Sequence, residues 1–487
     1  MVSWPLSKRR KEQVEDSIDW STVLGPVLCG GSAEPGSLAV RGDEVDDLEQ
    51  ATFAHVRRAV RPKPALVEAD LPFGTESVPW FPQGRFVVEA SPARAVRPGA
   101  FMHYAAGDYY IQDAGSMLAV ALMDVQPGDW VCDTCAAPGG KSTGLLEQLA
   151  GRGVLVANEV IRSRLGLLRL ALERAGYGNQ MVTNLEIEQL GQLCGPAFDR
   201  VLVDAPCTGQ TMVGRGKQRV AAFSAAQIAH SSARQARILR AAAGLVKPGG
   251  RLVYSTCAYS FAENEQVVME FVQAQPGWQL QSQAGFEAWA SPLCEGCYRV
   301  WPHRHGCSGA FAAVLVNESG ASAQQASKLA CEPPAALRGR YGWQELESLP
   351  HDLQGLVDDQ AGRLWHSGNQ LHRFDASLPG DWIGSAVAAT ELACRSGESQ
   401  SRRWTPSFGG AVLGGQHSEL ALSDAQAMRY VAGESLRDVS PPSADCGAGG
   451  WCVVVWRGRR LGWGKLAGGV LKNHFPKAIR QPNAVCQ

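Results

Sequence analysis

The sequence lacks several features that mark other classes of protein. Its formal net charge is −1 over 487 residues, so it has no global attraction to nucleic acid or acidic membranes, and any charged surface must be local. No stretch approaches the roughly 18 apolar residues of a membrane span, and the N-terminal MVSWPLSKRRKEQVEDSIDW has no apolar core of a secretory signal. Neither G-x-G-x-x-G nor G-x-x-x-x-G-K-S/T occurs, which disfavours NAD- and ATP-binding enzymes.

What the sequence contains is typical of a large globular protein. Hydrophobic residues make up 45% and charged residues 19% of the chain, and the length corresponds to about three domains at roughly 150 residues each. The 14 cysteines are scattered, and without a secretory signal we expect free thiols in a reducing cytoplasm. Most of these cysteines are then expected to be small buried apolar side chains.

Four segments follow from the changes in composition along the chain. Residues 1–95 are mixed, and residues 96–318 alternate short apolar runs with helical periodicity, which is typical of a doubly wound α/β sheet. Residues 319–345 are rich in Ser, Ala and Gln and contain a proline pair, so they predict a linker, and residues 346–487 predict a separate domain. Strands are expected at 129–133, 153–159, 200–206 and 251–257, with a last one around 314–316.

A glycine-containing turn follows the first of these strands in the stretch CDTCAAPGGKS. Ligands of open α/β sheets bind at the carboxyl ends of the strands, and Gly139 with Gly140 would let the backbone approach a ligand closely. Glu159 ends the next strand, where a carboxylate can bind both hydroxyls of a ribose. The combination suits an adenosine-containing cofactor, without separating a dinucleotide from S-adenosylmethionine, and a plain turn between strand and helix is the alternative.

Two cysteines follow two other strands, in the motifs DAPCTG and YSTC. We expect these strands to be neighbours, so that Asp204, Cys207 and Cys257 converge on one cleft. A thiolate that adds to C6 of a pyrimidine makes C5 nucleophilic, an acid can stabilise the charge at N3, and a base must remove the C5 proton. Two thiols and a carboxylate meet this requirement, whereas a single cysteine at a strand end would be read as a buried apolar side chain.

These motifs resemble those of the NOL1/NOP2/Sun family of RNA cytosine-C5 methyltransferases. DTCAAPGGKS resembles the family's cofactor motif, and DAPCTG and YSTCAYSFAENE resemble its two cysteine motifs, within a similarity that spans about 80 to 318. The resemblance implies a Rossmann-like doubly wound methyltransferase domain at 96–318, with S-adenosylmethionine as the cofactor.

The resemblance also assigns roles to particular residues. Cys257 would be the nucleophile, Cys207 would assist proton removal or product release, and Asp204 would engage the cytosine edge. We also expect Lys141 to be one of the catalytic residues. The implied S-adenosylmethionine contacts are Cys135, Ala136, Ala137, Pro138, Gly139, Gly140, Lys141, Glu159, Glu186 and Asp204.

Two positions depart from the family pattern. Glu186 stands where the family usually has aspartate, and GQTMVGRGKQR follows Cys207 where many members have Gly-Glu-Gly and an Arg-Pro-Asp stretch. An amino-methylating enzyme would instead be expected to carry an Asp-Pro-Pro-Tyr or Asn-Pro-Pro-Tyr motif and no nucleophilic thiol.

The stretch CEGCYRVWPHRHGC has the residue types of a zinc site, with Cys294, Cys297, His303, His305 and Cys307 close together. It also includes a predicted strand, YRVWP, in which neighbouring side chains point to opposite faces. We therefore expect no metal ion, and we expect the two histidines near the substrate cleft or on the surface.

The chain from Trp451 onward has no Asp or Glu and seven basic residues: Arg457, Arg459, Arg460, Lys465, Lys472, Lys477 and Arg480. Trp456, Trp463 and Phe475 lie among them. Two interpretations are open: basic groups that bind phosphates beside aromatic rings that stack on bases, or a solvated basic face above an aromatic core. The stretches GRLWHSGNQLHRF and RLGWGKLAGGVLKNHFPKAIR resemble the C-terminal PUA-like α+β domain of the family's bacterial ribosomal RNA enzymes.

The sequence therefore predicts a cytoplasmic enzyme that methylates C5 of cytosine in structured RNA, with 16S ribosomal RNA favoured as the substrate. Residues 1–95 would form an N-terminal RNA-binding region and residues 346–487 a PUA-like RNA-binding domain. The alternatives are the same chemistry on tRNA and a non-catalytic RNA-binding factor of ribosome assembly. We expect RNA as the partner, no membrane association, and a monomer.

Overall fold

The computed structural model of the protein describes residues 18–29, 40–54, 56–66, 70–89, 95–319, 339–354, 356, 362–395, 404–413, 418–439 and 450–486. Most of the predicted linker, from 320 to 338, and the first 17 residues of the predicted N-terminal region lie outside these described ranges.

The N-terminal part forms a small antiparallel sheet in the order β4-β5-β3-β6. Its elements are α1 (Trp20–Leu24), β1 (Leu28–Cys29), β2 (Val40–Arg41), α2 (Val45–Phe53), β3 (Ala59–Pro62), β4 (Thr75–Val78), β5 (Phe81–Val87), α3 (Met102–Ala105) and β6 (Tyr109–Ile111). Trp80, Phe81 and Phe86 of this part are buried in the same hydrophobic cluster as helices of the central domain. The N-terminal sheet is thereby packed onto the domain that follows it.

The central part is a doubly wound α/β sheet, as the sequence predicted. Its elements are α4 (Ala114–Met123), β7 (Trp130–Asp133), α5 (Gly140–Leu149), β8 (Val154–Asn158), α6 (Leu165–Ala175), β9 (Gln180–Thr183), α7 (Ile187–Cys194), β10 (Phe198–Asp204), α8 (Ala225–Ala243), β11 (Val246–Thr256), α9 (Glu265–Ala274), β12 (Trp278–Leu280), β13 (Cys297–Val300), α10 (Pro302–His305) and β14 (Ala310–Asn317).

The order of the strands determines where a ligand can bind. The sheet runs β12-β14-β11-β10-β7-β8-β9, with β14 antiparallel to its neighbours and β13 paired to β14. Chain order reverses between β7 and β10, which are parallel, so the switch point lies between these two strands. A crevice therefore opens outside their carboxyl ends, where the sequence places the cofactor turn and the DAPCTG motif.

Burial on both faces explains why these strands are continuous apolar runs. All residues of β8 and β9 are buried, as expected for parallel strands covered by helices on both sides. One cluster contains apolar side chains of α7, α8 and α9, and another contains those of α4, α5 and α6. The two layers of helices hold the strand ends, and hence the motif residues, in fixed positions.

The C-terminal part contains two further sheets, ordered β15-β16-β17-β19-β20 and β21-β22-β23-β24. Its elements are β15 (Gln344–Leu346), β16 (Arg363–Ser367), β17 (Gln370–Phe374), α11 (Gly380–Ser385), β18 (Ala386–Ala388), β19 (Thr390–Cys394), β20 (Thr405–Pro406), α12 (Phe408–Leu413), β21 (Glu419–Leu422), α13 (Asp424–Ala432), β22 (Trp451–Trp456), β23 (Arg459–Ala467) and β24 (Val470–Asn473). β18 pairs with β9 and so extends the central sheet, while Val485 forms a bridge to Phe101. The C-terminal part is thus attached to both preceding parts.

No helix in the described ranges is both long enough and apolar enough to span a bilayer.

Candidate active site

The two motif cysteines lie side by side in the structure. Parallel pairing of β10 with β11 sets Asp204 opposite Ser255, so the loops that follow both strands start at the same edge of the sheet. The Sγ atoms of Cys207 and Cys257 are 3.3 Å apart, and both side chains are partly buried. The convergence expected from the sequence is therefore present.

The two thiols are electrostatically unequal. The hydrogen bond with Cys207 is the main cause that lowers the pKa of Cys257 below its usual value. Lys141 also lowers this pKa, while burial and the charge of Asp204 act in the opposite direction. The same hydrogen bond and burial raise the pKa of Cys207 well above its usual value. Cys257 is consequently the member of the pair that loses its proton more readily, and a thiolate is the nucleophilic form of cysteine.

An ion pair lies next to the thiols. Nζ of Lys141 donates to Oδ2 of Asp204 at 2.7 Å, and Oγ of Ser255 donates to Oδ1 of Asp204 at 2.9 Å. Burial tends to lower the pKa of Lys141, but the attraction of Asp204 outweighs it and leaves that pKa raised. Lys141 thus keeps its proton beside the nucleophile.

A small cavity opens beside the nucleophile. Its lining includes Asp113, Lys141, Thr211, Ser255, Cys257 and Phe311. Phe311 lies on β14, the strand that pairs with β11, and contributes an apolar wall. A planar ring that entered this cavity would meet the sulfur of Cys257 and the cation of Lys141 together.

The turn after β7 is tightly held against neighbouring strands. Thr134 donates its N–H to the carbonyl of Leu202, and Ala136 donates to that of Asn158. Gly139 has φ +108°, and a Cβ at this position would lie 2.8 Å from Cβ of Ala171, so only glycine fits here without strain. This turn delivers the start of α5, whose first N–H groups have no partner within the helix.

Acidic groups surround the turn. Asp133 ends β7 with its carboxylate buried and bonded to Oγ of Ser142 at 2.6 Å, and burial raises its pKa to about 7. Glu159, just after β8, accepts N–H groups from Ala137 and Ile161 at 3.3 and 2.8 Å. Asp133 was not among the site residues predicted from the sequence, although it ends a strand directly before the glycine turn.

Three of the cofactor residues predicted from the sequence, Glu159, Glu186 and Cys135, differ in burial and in their partners. Nη1 of Arg164 lies 3.1 Å from Oε2 of Glu159, so an exposed arginine covers the buried carboxylate. Glu186 is exposed and forms the capping box at the start of α7. Cys135 is a neutral thiol, since burial raises its pKa to about 12.

This donor set fits S-adenosylmethionine. The cofactor carries two positive groups, a carboxylate and a ribose, and a buried carboxylate with a raised pKa is stabilised by a cationic ligand. Asp133 and Asp204 can take the positive groups, the start of α5 the carboxylate, and Glu159 the ribose hydroxyls.

A buried polar network ties the two cysteine loops together and was not found from the sequence. Glu263 accepts from Thr208 N at 2.9 Å, from Thr208 Oγ1 at 2.6 Å and from Gln235 Nε2 at 2.9 Å. Gln210 Oε1 accepts the N–H groups of Tyr259 and Ser260 at 2.7 and 3.1 Å. The one indication in the sequence was the acidic FAENE stretch directly after YSTC. In the structure its Glu263 is fully buried, and a buried glutamate requires polar partners.

Arg61 is a second residue that sequence reasoning missed. It is fully buried on β3 and pairs with Glu147 at 2.6 Å, while it also donates to Gly140 O at 2.7 Å and Thr143 Oγ1 at 2.6 Å. The N-terminal sheet thereby fixes the first turns of α5. No sequence signal pointed to it, since a single arginine in a mixed segment gives no indication of burial.

The histidines of the cysteine- and histidine-rich stretch pack against the N-terminal part of the chain. His303 and His305 lie on α10, which packs against α2, and burial lowers the pKa of each to about 4. These histidines therefore occupy an interface with the N-terminal part instead of the cleft or the open surface. Within the described ranges no group of three or more His, Cys, Asp or Glu side chains is arranged to hold a metal ion.

The C-terminal aromatic side chains are buried, and two of the arginines, Arg457 and Arg459, lie over the ring of Trp456. Trp456, Trp463 and Phe475 are buried, at 0%, 1% and 2% exposure, so of the two interpretations the aromatic core is correct and these rings do not face bases. Three of the arginines are in ion pairs: Arg457 with Asp424, Arg459 with Asp108 and Arg460 with Glu419. Lys472 and Lys477 are exposed.

Comparison with known proteins finds two family matches in the chain. Residues 120–316 match the family described as 16S rRNA methyltransferase RsmB/F, and residues 417–481 match the methyltransferase RsmF PUA domain. Ribosomal RNA small subunit methyltransferase F of Salmonella heidelberg (strain SL476) and that of Salmonella typhi are each 29% identical over 416 residues, which cover 82% of this chain and 84% of the relative.

A solved structure shares the fold. The crystal structure of NSun6 from Pyrococcus horikoshii with SFG aligns with a TM-score of 0.51 at 19% identity, over 57% of this chain and 95% of the other. The central domain of the chain belongs to the RsmB/F family of methyltransferases with S-adenosylmethionine as the cofactor, and the chain carries the PUA domain of RsmF after it.

Proposed function

We propose that this protein methylates C5 of a cytosine in small-subunit ribosomal RNA through a covalent bond between Cys257 and C6 of the base. The observation that carries the proposal is the pair of unequal thiols 3.3 Å apart, beside the ion pair of Lys141 and Asp204. A methyltransferase acting on an amine or hydroxyl has no use for such a pair, because those acceptors are already nucleophilic.

The first step belongs to Cys257. Its thiolate adds to C6, the C5–C6 π bond breaks, and the electron pair spreads over C5 and N3. Asp204 faces the cytosine edge, and the proton held by the Lys141–Asp204 pair is available to N3 as that nitrogen becomes basic. S-Adenosylmethionine, when bound, supplies an electrophilic methyl group to C5, and its sulfur keeps the electron pair of the broken bond.

The second step belongs to Cys207. Once Cys257 is bonded to carbon it is no longer an anion, so one of the two main causes that raise the pKa of Cys207 disappears, while burial still raises it. Cys207 then gives its proton to solvent and, as a thiolate, removes the proton from C5. The C5–C6 double bond reforms, Cys257 leaves as a thiolate, and N3 returns its proton.

The ribosomal substrate is inferred from the relatives, which are ribosomal RNA small subunit methyltransferases by name, and from the PUA domain match. Both thiols must be reduced for this chemistry, and they are free in the structure, which agrees with a cytoplasmic enzyme.

The test is release of tritium from C5-labelled RNA, measured with S-adenosylmethionine on isolated small-subunit ribosomal RNA, assembled small subunits and bulk tRNA. The proposal predicts release from one of the two ribosomal substrates and far less from tRNA. Methyl transfer without tritium release would exclude C5 as the acceptor, and release from tRNA alone would exclude the ribosomal substrate.

A further inference from the structure

A second cavity lies where the three parts of the chain meet. It has a volume of about 270 Å³ and is bounded by β6, by α5 and α6, and by Ala478 and Ile479 near the C-terminus. We call it the Lys63 pocket after the lysine in its wall. Its lining includes Lys63, Tyr104, Tyr109, Tyr110, Glu147 and Arg174.

The lysine of this pocket has no partner of opposite charge in hydrogen-bonding contact. Nζ of Lys63 forms no hydrogen bond or ion pair with any residue in the described ranges, and burial lowers its pKa although Asp108 and Glu147 attract it. Those carboxylates are already bound, Asp108 to His103 and Arg459, and Glu147 to Arg61. Lys63 is half-buried, and an ammonium partly withdrawn from water without a partner is unfavourable, so the pocket favours an anion.

A second cation faces the same space. The guanidinium of Arg174 lies over the ring of Tyr104, 4.6 Å from its centroid, and donates to the Tyr104 carbonyl at 2.5 Å. It has no carboxylate partner among the described residues. Since the single acid of the lining, Glu147, is neutralised by Arg61 at 2.6 Å, the pocket carries a net positive charge.

Aromatic side chains complete the pocket, and a guanidinium already lies over one face of two of them: Arg174 over Tyr104 and Arg61 over Tyr110, 4.6 and 5.3 Å from the centroids. Tyr104 and Tyr110 are half-buried, and no hydrogen bond of their hydroxyl groups is formed within the described ranges. Tyr109 is fixed by its own hydrogen bond to Pro98 O at 2.7 Å and lies 6.1 Å from Tyr104, centroid to centroid. Partly exposed rings beside cations are the arrangement that binds nucleotides, because the base stacks while the phosphate meets the cation.

We propose that the Lys63 pocket binds one nucleotide of the substrate RNA other than the target cytosine, with the base on the tyrosine rings and the phosphate at Lys63 and Arg174. The inference rests on the proposed function in taking RNA as the substrate. It is geometrically reasonable because β6 ends at Ile111, which lines this pocket, and Asp113 two residues later lines the thiol cavity. A strand of RNA that crosses β6 would reach both.

The test compares Lys63→Gln, Tyr104→Leu and the control Lys247→Gln by binding to a labelled single-stranded RNA at several salt concentrations. Lys247 lies at the amino end of β11, on the opposite edge of the sheet, and pairs with Asp199 at 3.0 Å. We expect Lys63→Gln to weaken binding about tenfold and to reduce the slope of log K against log salt by about one. Tyr104→Leu should weaken binding at least about fivefold with an unchanged slope, and Lys247→Gln should change neither.

Further arms separate the possible failures. Thermal unfolding shows whether each variant is folded. If Lys63→Gln does not fold, Arg174→Gln serves as the second charge variant. Folded Lys63→Gln with wild-type affinity and slope would overturn the inference. Titration with cytidine and adenosine monophosphates tests a small-molecule site: tight binding of a free nucleotide with unaltered RNA binding would also overturn it. Because binding is measured without methyl transfer, a failure of the proposed function at the catalytic step leaves this result interpretable.

Discussion

Two cysteine pairs in this chain both contain one thiol with a lowered pKa, but they differ in their spacing and in their surroundings. Cys207 and Cys257 are 50 residues apart and meet at 3.3 Å, whereas Cys294 and Cys297 are three residues apart in one turn. In both pairs a hydrogen bond from one thiol lowers the pKa of the other, at Cys257 and at Cys294. A lowered thiol pKa is therefore not what distinguishes the candidate active site.

The difference lies in what surrounds each pair. Cys257 lines a cavity together with Lys141, and Asp204 lies within hydrogen-bonding distance of that lysine. Cys297 is fully buried in a strand. Nucleophilic catalysis on a ring needs a thiolate, an acid, a base and room for the ring, and only the pair at the ends of β10 and β11 has them together among the described residues.

The largest expected effect is loss of turnover on removal of the nucleophile. We expect Cys257→Ala to reduce methyl transfer by roughly 10⁴-fold or more, since C5 is not activated without addition at C6, while Cys294→Ala keeps wild-type turnover. The measurement is incorporation of labelled methyl groups into RNA, with cofactor binding by calorimetry as the control for folding. Comparable losses in both variants would remove the distinction between the two pairs.

Removal of the proton-accepting thiol should trap the intermediate. Cys207→Ala is expected to slow turnover by about 10² to 10⁴-fold, the usual contribution of a general base, and to accumulate a protein–RNA adduct. Denaturing gels detect this adduct as a slower band that contains both RNA and protein. The assignment of Cys207 as the releasing group fails if the variant is slow but forms no adduct.

Removal of the lysine should change the titration of one pair and not of the other. Lys141 lowers the pKa of Cys257, so Lys141→Met raises that pKa and leaves less thiolate at a given pH. The pH midpoint for alkylation of Cys257 by iodoacetamide should move upward, and its rate at neutral pH should fall several-fold. The pH midpoint for alkylation of Cys294, followed in the same samples by peptide mass spectrometry, should not change. A midpoint for Cys257 that stays the same or falls would contradict the electrostatic account.

The smallest effect is expected at the buried member of the second pair. Cys297 packs in a core cluster with 0% exposure, and Cys297→Ala should lower the free energy of unfolding by about 1 kcal/mol through the lost packing. Methyl transfer should be unchanged. Chemical denaturation measures the change in the free energy of unfolding, and the tritium assay measures activity. A large loss of activity in the folded variant would show that the second cysteine pair also contributes to catalysis.

The sequence predicted the parts of the site that depend on strand order. Apolar runs with acidic ends identified β7, β8 and β10. Since the carboxyl ends of parallel strands share one edge of the sheet, Asp204, Cys207 and Cys257 could be grouped from the sequence alone. The helices on both faces followed from the same alternation.

Other parts could not be predicted because they depend on tertiary contacts. Arg61 and Glu263 act through partners 86 and 55 residues away, and local periodicity contains no information on such pairs. β18 joins the central sheet from a segment that composition assigned to another domain. The C-terminal aromatic rings could be assigned to the core only once their burial was visible, since composition alone left two interpretations.

The central claim is the covalent bond from Cys257 to the cytosine ring. RNA with 5-fluorocytosine at the target position should trap this bond, because fluorine at C5 cannot be removed as a proton is. After incubation with S-adenosylmethionine and nuclease digestion, mass spectrometry should find the modified nucleotide on the peptide that contains Cys257. A nucleotide attached to Cys207 or to any other residue, or no attachment at all, would contradict the account.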